Sequence, residues 1–133
     1  MSNANVSLIQ SLYAAFGRGD IAPIIAALTP DVDWTVSGRR EDYPLFGSRK
    51  GPGAVQEFFR ELAALQDFSE FTPREFYTAG DRVFVLGRYA ATVKKTGRKA
   101  ACPWCHIFSF RGDKVGAFLE FTDTAQWTAA YKG

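Results

Sequence analysis

The 133-residue sequence predicts an α+β fold built as one domain spanning residues 1–133, with a strongly curved antiparallel sheet wrapped around N-terminal helices. Two observations carry that expectation. Helical periodicity is confined to the first quarter of the chain, to a stretch near residue 60 and to the last few residues, whereas strand-like runs follow one another from residue 69 to residue 122. A hydrophobic content of 47%, with 23% charged residues and a formal net charge of +2, places the chain among globular proteins and outside the disordered class.

In chain order, Val6, Ile9, Leu12, Tyr13 and Phe16 fall at helical spacing, and Gly17-Arg18-Gly19 stops the helix. Asp20 has the chemistry of an N-cap for a short second helix through Ile21 to Leu28, with Pro23 tolerated in its first turn and Thr29-Pro30 ending it. Asp31 to Val36 alternates as a short strand. A polar stretch from Ser37 to Lys50 then reads as a long loop, of the kind that forms lids or binding loops, although it carries Tyr43, Leu45 and Phe46. A helix from about Gly53 to Leu65 sets Val55, Phe58, Phe59, Leu62 and Leu65 on one stripe. Four strands follow, at Ser69–Thr78, Arg82–Lys94, Lys99–Phe110 and Lys114–Thr122. The turns Gly80-Asp81, Thr96-Gly97-Arg98 and Arg111-Gly112-Asp113 join them into a meander, and Asp123 to Tyr131 can close the chain as a short helix.

Composition removes several functions. Sixteen Lys and Arg against fourteen Asp and Glu give no concentrated basic surface for nucleic acid or an anionic membrane. The N-terminus lacks a secretory pattern and no window reaches the length of a membrane span, so the expectation is a cytoplasmic protein. Cys102-Pro103-Trp104-Cys105-His106 matches the C-x-x-C-H pattern of haem attachment. On a strand, however, an odd offset sends Cys102 and Cys105 to opposite faces, and no second ligand pair exists for zinc, so both read as reduced thiols. What stands out is aromatic content: twelve Phe, five Tyr and three Trp are more ring than one small core needs, and ring-lined cavities take small apolar ligands.

Several runs carry a resemblance. They are Tyr13-Ala14-Ala15-Phe16-Gly17-Arg18-Gly19-Asp20, Pro30-Asp31-Val32-Asp33-Trp34, and Gly47-Ser48-Arg49-Lys50-Gly51 leading into Val55-Gln56-Glu57-Phe58-Phe59. In the second half they are Gly80-Asp81-Arg82-Val83, Pro103 to Phe110, and Lys114-Val115 through Glu120-Phe121-Thr122-Asp123-Thr124-Ala125. Together they resemble SnoaL-like proteins of the NTF2-like, or ketosteroid-isomerase-like, superfamily over nearly the whole chain. The resemblance implies a cone of curved sheet closed by helices around a deep apolar pocket. It says less about function, because the fold hosts isomerases, cyclases, dehydratases and non-catalytic binders.

His106, the single histidine, lies mid-strand with Trp104, Phe108 and Phe110 on its face, and the resemblance places it where ketosteroid isomerases carry a pocket aspartic acid. Glu120 sits between Leu119 and Phe121. The family pattern puts Phe118, Glu120 and Thr122 on the pocket side, where a carboxylate–imidazole pair with His106 fixes the tautomer; the alternative is a rim carboxylate. Asp123 corresponds to a recurring aspartate that serves as acid/base in polyketide cyclases of this kind, and its competing role is the N-cap of the final helix. Tyr13 and Tyr89 can donate to a ligand carbonyl, and Trp34, Trp104, Phe108, Phe46 and Phe58 can line the pocket, each with core packing as the alternative. The ketosteroid-isomerase base and tyrosine align near Val36 and Leu12, both aliphatic, so that layout is absent here.

Two functions remain. One is cofactor-free proton transfer on a cyclic or polyketide-like carbonyl compound, as an isomerase, cyclase or lyase, with His106 and Glu120 or Asp123 as acid and base. No metal or organic cofactor is required, because a carbonyl already acidifies its α-proton. The other is a non-catalytic binder of a small apolar molecule. Cys105, Ile107, Leu119 and Phe121 share the outer sheet face and lead to the expectation of a homodimer.

Overall fold

A computed structural model of the chain describes residues 2–133, and among them the predicted elements follow in order, with one strand added at Gly47–Lys50. They are helices α1 (Ser2–Gly17) and α2 (Ala22–Ala26), strands β1 (Leu28–Val36) and β2 (Gly47–Lys50), helix α3 (Gly51–Leu65), strands β3 (Gln66–Ala79), β4 (Arg82–Val93), β5 (Lys99–Arg111) and β6 (Lys114–Thr122), and helix α4 (Thr124–Lys132). The strands form one six-stranded sheet in the order β2-β1-β6-β5-β4-β3, and among the described residues no helix is long and apolar enough to cross a membrane.

The predicted antiparallel sheet is mixed. The meander β3 to β6 is antiparallel, but β1 runs parallel to β6, pairing Trp34 with Phe118 and Val36 with Glu120. Local alternation contains no information about the direction of a partner some eighty residues away in sequence, which is why the hairpins were legible and this pairing was not.

Three further expectations are corrected. The second helix ends at Ala26, before Leu28, because Leu28 pairs with Val115 and the Val115 amide donates to the Ala27 carbonyl at 2.8 Å. Sheet formation takes residues whose spacing alone suits a helix. Asp20 does not cap α2; Ile21 occupies the N-cap position and no side chain satisfies it. Pro30 lies within β1, at the register shift between Leu28 and Asp33, where a missing N–H breaks no ladder bond to β6.

The long polar stretch is not a lid. Gly47–Lys50 forms β2 against β1, and Tyr43, Leu45 and Phe46 are core residues, Tyr43 only 1% exposed. The Tyr43 hydroxyl donates to the Gln66 side-chain oxygen at 2.5 Å, and buried Arg49 donates both to the Pro44 carbonyl at 3.2 Å and to Glu61 at 2.9 Å. These bonds hold the loop as an inner wall.

Gly87 on β4 matters to the site. It stands opposite Trp104 of β5, and the indole lies across it; a Cβ there would fall within contact distance of the ring and 2.7 Å from the Thr72 carbonyl oxygen. The recess is what lets a large ring sit flat against the strand. Gly87→Ala is expected to destabilise the protein by about 2 kcal/mol in urea unfolding, since neither ring nor backbone can give way cheaply. By contrast, a Cβ at Gly53 in α3 meets nothing within 4 Å, so Gly53→Ala is expected to stabilise by roughly 0.5–1 kcal/mol.

Candidate functional site

The alternation of β5 sends Cys102, Trp104, His106, Phe108 and Phe110 inward and leaves Cys105 half-exposed on the other side, so the two thiols diverge. The β5–β6 register places His106 opposite Glu120, Phe108 opposite Phe118 and Trp104 opposite Thr122. This is the strand phase that the family resemblance implied. Directly opposed residues on one face have their Cβ atoms about 5 Å apart, close enough for two polar side chains to meet.

They do meet. His106 is 4% exposed, and its Nε2 lies 2.7 Å from Glu120 Oε1. Its Nδ1 lies 2.7 Å from the hydroxyl of Tyr13, which α1 delivers from the same inward stripe as Ile9 and Leu12. The hydroxyl of Tyr89 on β4 is 3.0 Å from Glu120 Oε2 and 2.6 Å from Thr122 Oγ1, and Thr122 lies 3.5 Å from Cys102 Sγ. Four elements thus contribute to one connected polar chain. Trp104 stacks on the imidazole with ring centroids 3.8 Å apart, and Phe118 meets it edge-on at 4.8 Å.

Burial, and then the Glu120 charge, push both tyrosine hydroxyls well above the ordinary phenol range; for Tyr89 the hydrogen bond with Thr122 acts in the opposite direction. Both tyrosines therefore remain phenols, able to donate hydrogen bonds and poor as anions.

The polar chain borders a cavity of about 90 Å³. Tyr13, Trp34, Phe46, Phe58, Tyr89, His106, Phe108 and Glu120 all line it. Trp104 does not: it is buried behind the imidazole as a backing plate rather than a wall. Asp123 is also outside. It is exposed at the start of α4, where Oδ1 accepts from the Gln126 amide at 3.3 Å and Oδ2 from the Gln126 side chain at 3.1 Å, so the capping alternative describes its place. Sequence reasoning missed Gln66, Tyr43 and Trp127 as lining residues. A buried tyrosine in apparently polar loop sequence was the available signal for Tyr43; Gln66, at a helix–strand junction, offered none.

A family model described as a SnoaL-like domain matches residues 9–117. An NTF2-like protein of unknown function from Burkholderia pseudomallei K96243 is 30% identical, with 98% of each chain covered and a TM-score of 0.87. An NTF2-like protein from Burkholderia xenovorans LB400 is 30% identical over 96% of this chain and 95% of that one, with a TM-score of 0.86. TerC, co-crystallised with polyporic acid, is 27% identical over 98% of this chain and 99% of that one, with a TM-score of 0.86. No curated protein matches the sequence.

The placement of Asp123 has a measurable consequence. Asp123→Ala is expected to lower stability by about 1 kcal/mol through loss of the cap, while the ¹⁵N resonances of the His106 ring stay where they are in the unaltered protein. A changed imidazole spectrum would connect Asp123 to the site after all.

Proposed function

The chain belongs to the SnoaL-like domain family, and from that premise we propose that it is a small-molecule pocket protein that catalyses cofactor-free proton transfer on a carbonyl compound. The single observation that carries this reading is His106 held at both ring nitrogens, by Tyr13 and by Glu120, at the wall of a cavity otherwise lined mainly by rings and aliphatic side chains. A general acid/base must be oriented, in the right tautomer and within reach of the substrate, and this arrangement supplies the first two. In this reading the His106–Glu120 pair holds and returns the mobile proton, Tyr13 contacts the substrate oxygen, and Asp123 takes no part. The isomerase, cyclase and lyase classes all use that step.

The pocket is part of the proposal. Register shifts in β3 at Phe68/Glu70 and Pro73/Glu75, and between Ser109 and Phe110 of β5, are devices that bend strands, and they support a curved sheet closing over the cavity as a cone. At about 90 Å³ the cavity is smaller than the roughly 150 Å³ that takes a benzene, so a ring-sized ligand requires side chains to move. A surface groove shares Tyr13, Phe16, Phe68 and Phe71 with the cavity, which makes this ring cluster the natural mouth. Polyporic acid, crystallised with TerC, supports an oxygenated organic ligand.

A non-catalytic binder is the second reading, favoured by the internal pairing of His106, Glu120, Tyr13 and Tyr89 with one another and with Thr122. Deuterium uptake at the α-carbon of small cyclic ketones, followed by NMR, separates the two. Catalysed exchange that falls by at least about 100-fold in His106→Ala is expected. Saturable ligand binding without any catalysed exchange would sink the enzyme reading and leave the binder.

We also propose that the outer sheet face joins two copies of the chain. Leu86, Cys105, Ile107, Leu119 and Phe121 stand on neighbouring outward positions, with Phe121 47% exposed. Light scattering at micromolar concentration is expected to give twice the 14.7 kDa chain mass, and Phe121→Asp to give the single mass. A monomer in the unaltered protein would refute this interface.

A further inference from the structure

Away from the His106 cluster, the cavity wall holds one carboxamide, that of Gln66, which is 5% exposed. The residue both caps the end of α3 and begins β3. Its backbone is pinned there: its own amide donates to the Leu62 carbonyl, it pairs with Val93 of β4, and the Lys94 amide donates to the neighbouring Leu65 carbonyl at 2.9 Å. The side chain is delivered to the cavity from a fixed point.

The protein uses only half of that carboxamide. The Tyr43 hydroxyl lies 2.5 Å from Gln66 Oε1, a separation that suits O–H···O and is too short for N–H···O, so the amide oxygen is the end that faces the phenol. Burial, and then the nearby Tyr131, push the Tyr43 hydroxyl above the ordinary phenol range, and it keeps the proton it donates. Tyr43 is itself held between Trp127, stacked at 5.5 Å, and Tyr131, edge-on at 5.2 Å. Gln66 Nε2 is left with two hydrogens and, among the described residues, no partner. The buried side-chain atoms that are both sealed in and unpartnered are Nε1 of Trp34, Trp104 and Trp127 and Nε of Arg49. Gln66 Nε2 is not one of these, so open space lies beside it, and the space that Gln66 borders is the cavity.

Resting on the pocket reading above, we propose that Gln66 is a second anchor of the ligand site, donating from Nε2 to a neutral acceptor oxygen, and that the site takes compounds with oxygens at both ends of an apolar ring. The oxygen at the Gln66 end is a carbonyl or an ether. Tyr43 is a positioning residue, since it holds the amide oxygen back and leaves the hydrogens for the ligand. Trp127 separates the two polar ends, its ring centroid 5.4 Å from that of Tyr89 on the His106 side and 5.5 Å from that of Tyr43 on the Gln66 side. Among the described residues no lysine or arginine lines the cavity, so a carboxylate at the Gln66 end would lose its water and gain no counter-charge. A neutral oxygen meets neither cost. A ligand with no acceptor there leaves the amide hydrogens without water and without a partner, which is how one donor in a wall of rings discriminates.

The test uses 4-methoxyacetophenone and 4-ethylacetophenone, which share ring, ketone and length and differ in having an ether oxygen or a methylene at the far end. The full-length, ¹⁵N-labelled protein is titrated with each and followed by NMR. The side-chain ¹H–¹⁵N pair of Gln66 is expected to shift on saturation with the methoxy compound. Gln66→Met, which keeps the length of the side chain and removes both hydrogens, is expected to lower the ratio of methoxy to ethyl affinity by about fivefold. Tyr43→Phe, which frees the amide to turn, is expected to lower the same ratio by about two- to threefold and to leave the affinity for the ethyl compound unchanged. A Gln66 pair that stays in place at saturation, or a ratio in Gln66→Met equal to that of the unaltered protein, overturns the inference and leaves the pocket standing. The first of these is read in the unaltered protein and needs no variant to fold. A ratio unchanged in Tyr43→Phe overturns the positioning role of Tyr43. Failure of both compounds to bind overturns the pocket reading and this inference together.

Discussion

The cross-strand pairing of His106 with Glu120 is the constraint on which the rest of the site hangs. Two polar side chains face a cavity whose other walls are almost all rings and aliphatic chains, and each is tolerable there only because the other is within 2.7 Å. A slip of one residue between β5 and β6 would turn Glu120 to the outer face, bring Leu119 and Phe121 inward and leave the imidazole with an unpartnered nitrogen. The register shift between Ser109 and Phe110 takes up an irregularity on the hairpin side, so that Phe108–Phe118, His106–Glu120 and Trp104–Thr122 remain in phase beyond it. Once that phase is set, Tyr89 can reach Glu120 Oε2 from the next strand, and Trp34 can stack on Phe118 at 4.0 Å from the parallel strand on the other side.

Aromatic side chains divide into three jobs around this pair. Trp104 supports the imidazole from behind, which requires the recess at Gly87. Trp34, Phe58, Phe108 and Phe118 wall the cavity and pack on one another. Phe16, Phe68 and Phe71, with ring centroids 5.0–6.0 Å apart, stand with Tyr13 between cavity and outer groove. Rings suit all three uses because they bury much area with few rotatable bonds, and edge-to-face pairs tolerate small shifts better than interlocked aliphatic chains do.

Much of this was legible in the sequence. The stripe Val55, Phe58, Phe59, Leu62 named α3, and the turns at Gly80, Gly97 and Gly112 fixed the meander; strand alternation paired Phe118 with Glu120 on one face of β6, and the family resemblance turned that face to the side of His106. What escaped was long-range or competitive. Leu28 satisfies a helical pattern and a sheet pairing equally, and only Val115 decides between them. Tyr43 looks like a loop residue until Gln66 is beneath it. Tyr13 was visible as a pocket donor, but its use as a partner of His106 depends on how α1 crosses the sheet, which periodicity does not encode. Asp123 showed the limit of transferring a role by resemblance: the same residue type at the same place serves here as a helix cap.

The cost of the polar chain argues about its purpose. A buried ion-pair or hydrogen-bonded cluster is commonly no more stabilising than a well-packed apolar replacement of similar volume, because desolvation offsets the attraction. A cavity meant only to store apolar molecules could be lined by rings throughout, and the walls supplied by β1, α3 and the 37–46 loop come close to that. Placing a carboxylate, an imidazole and two phenols on the remaining wall buys no stability that leucine and phenylalanine could not supply. It does create an imidazole held at both ring nitrogens, by a phenol and a carboxylate, inside a medium where electrostatic preferences are strong.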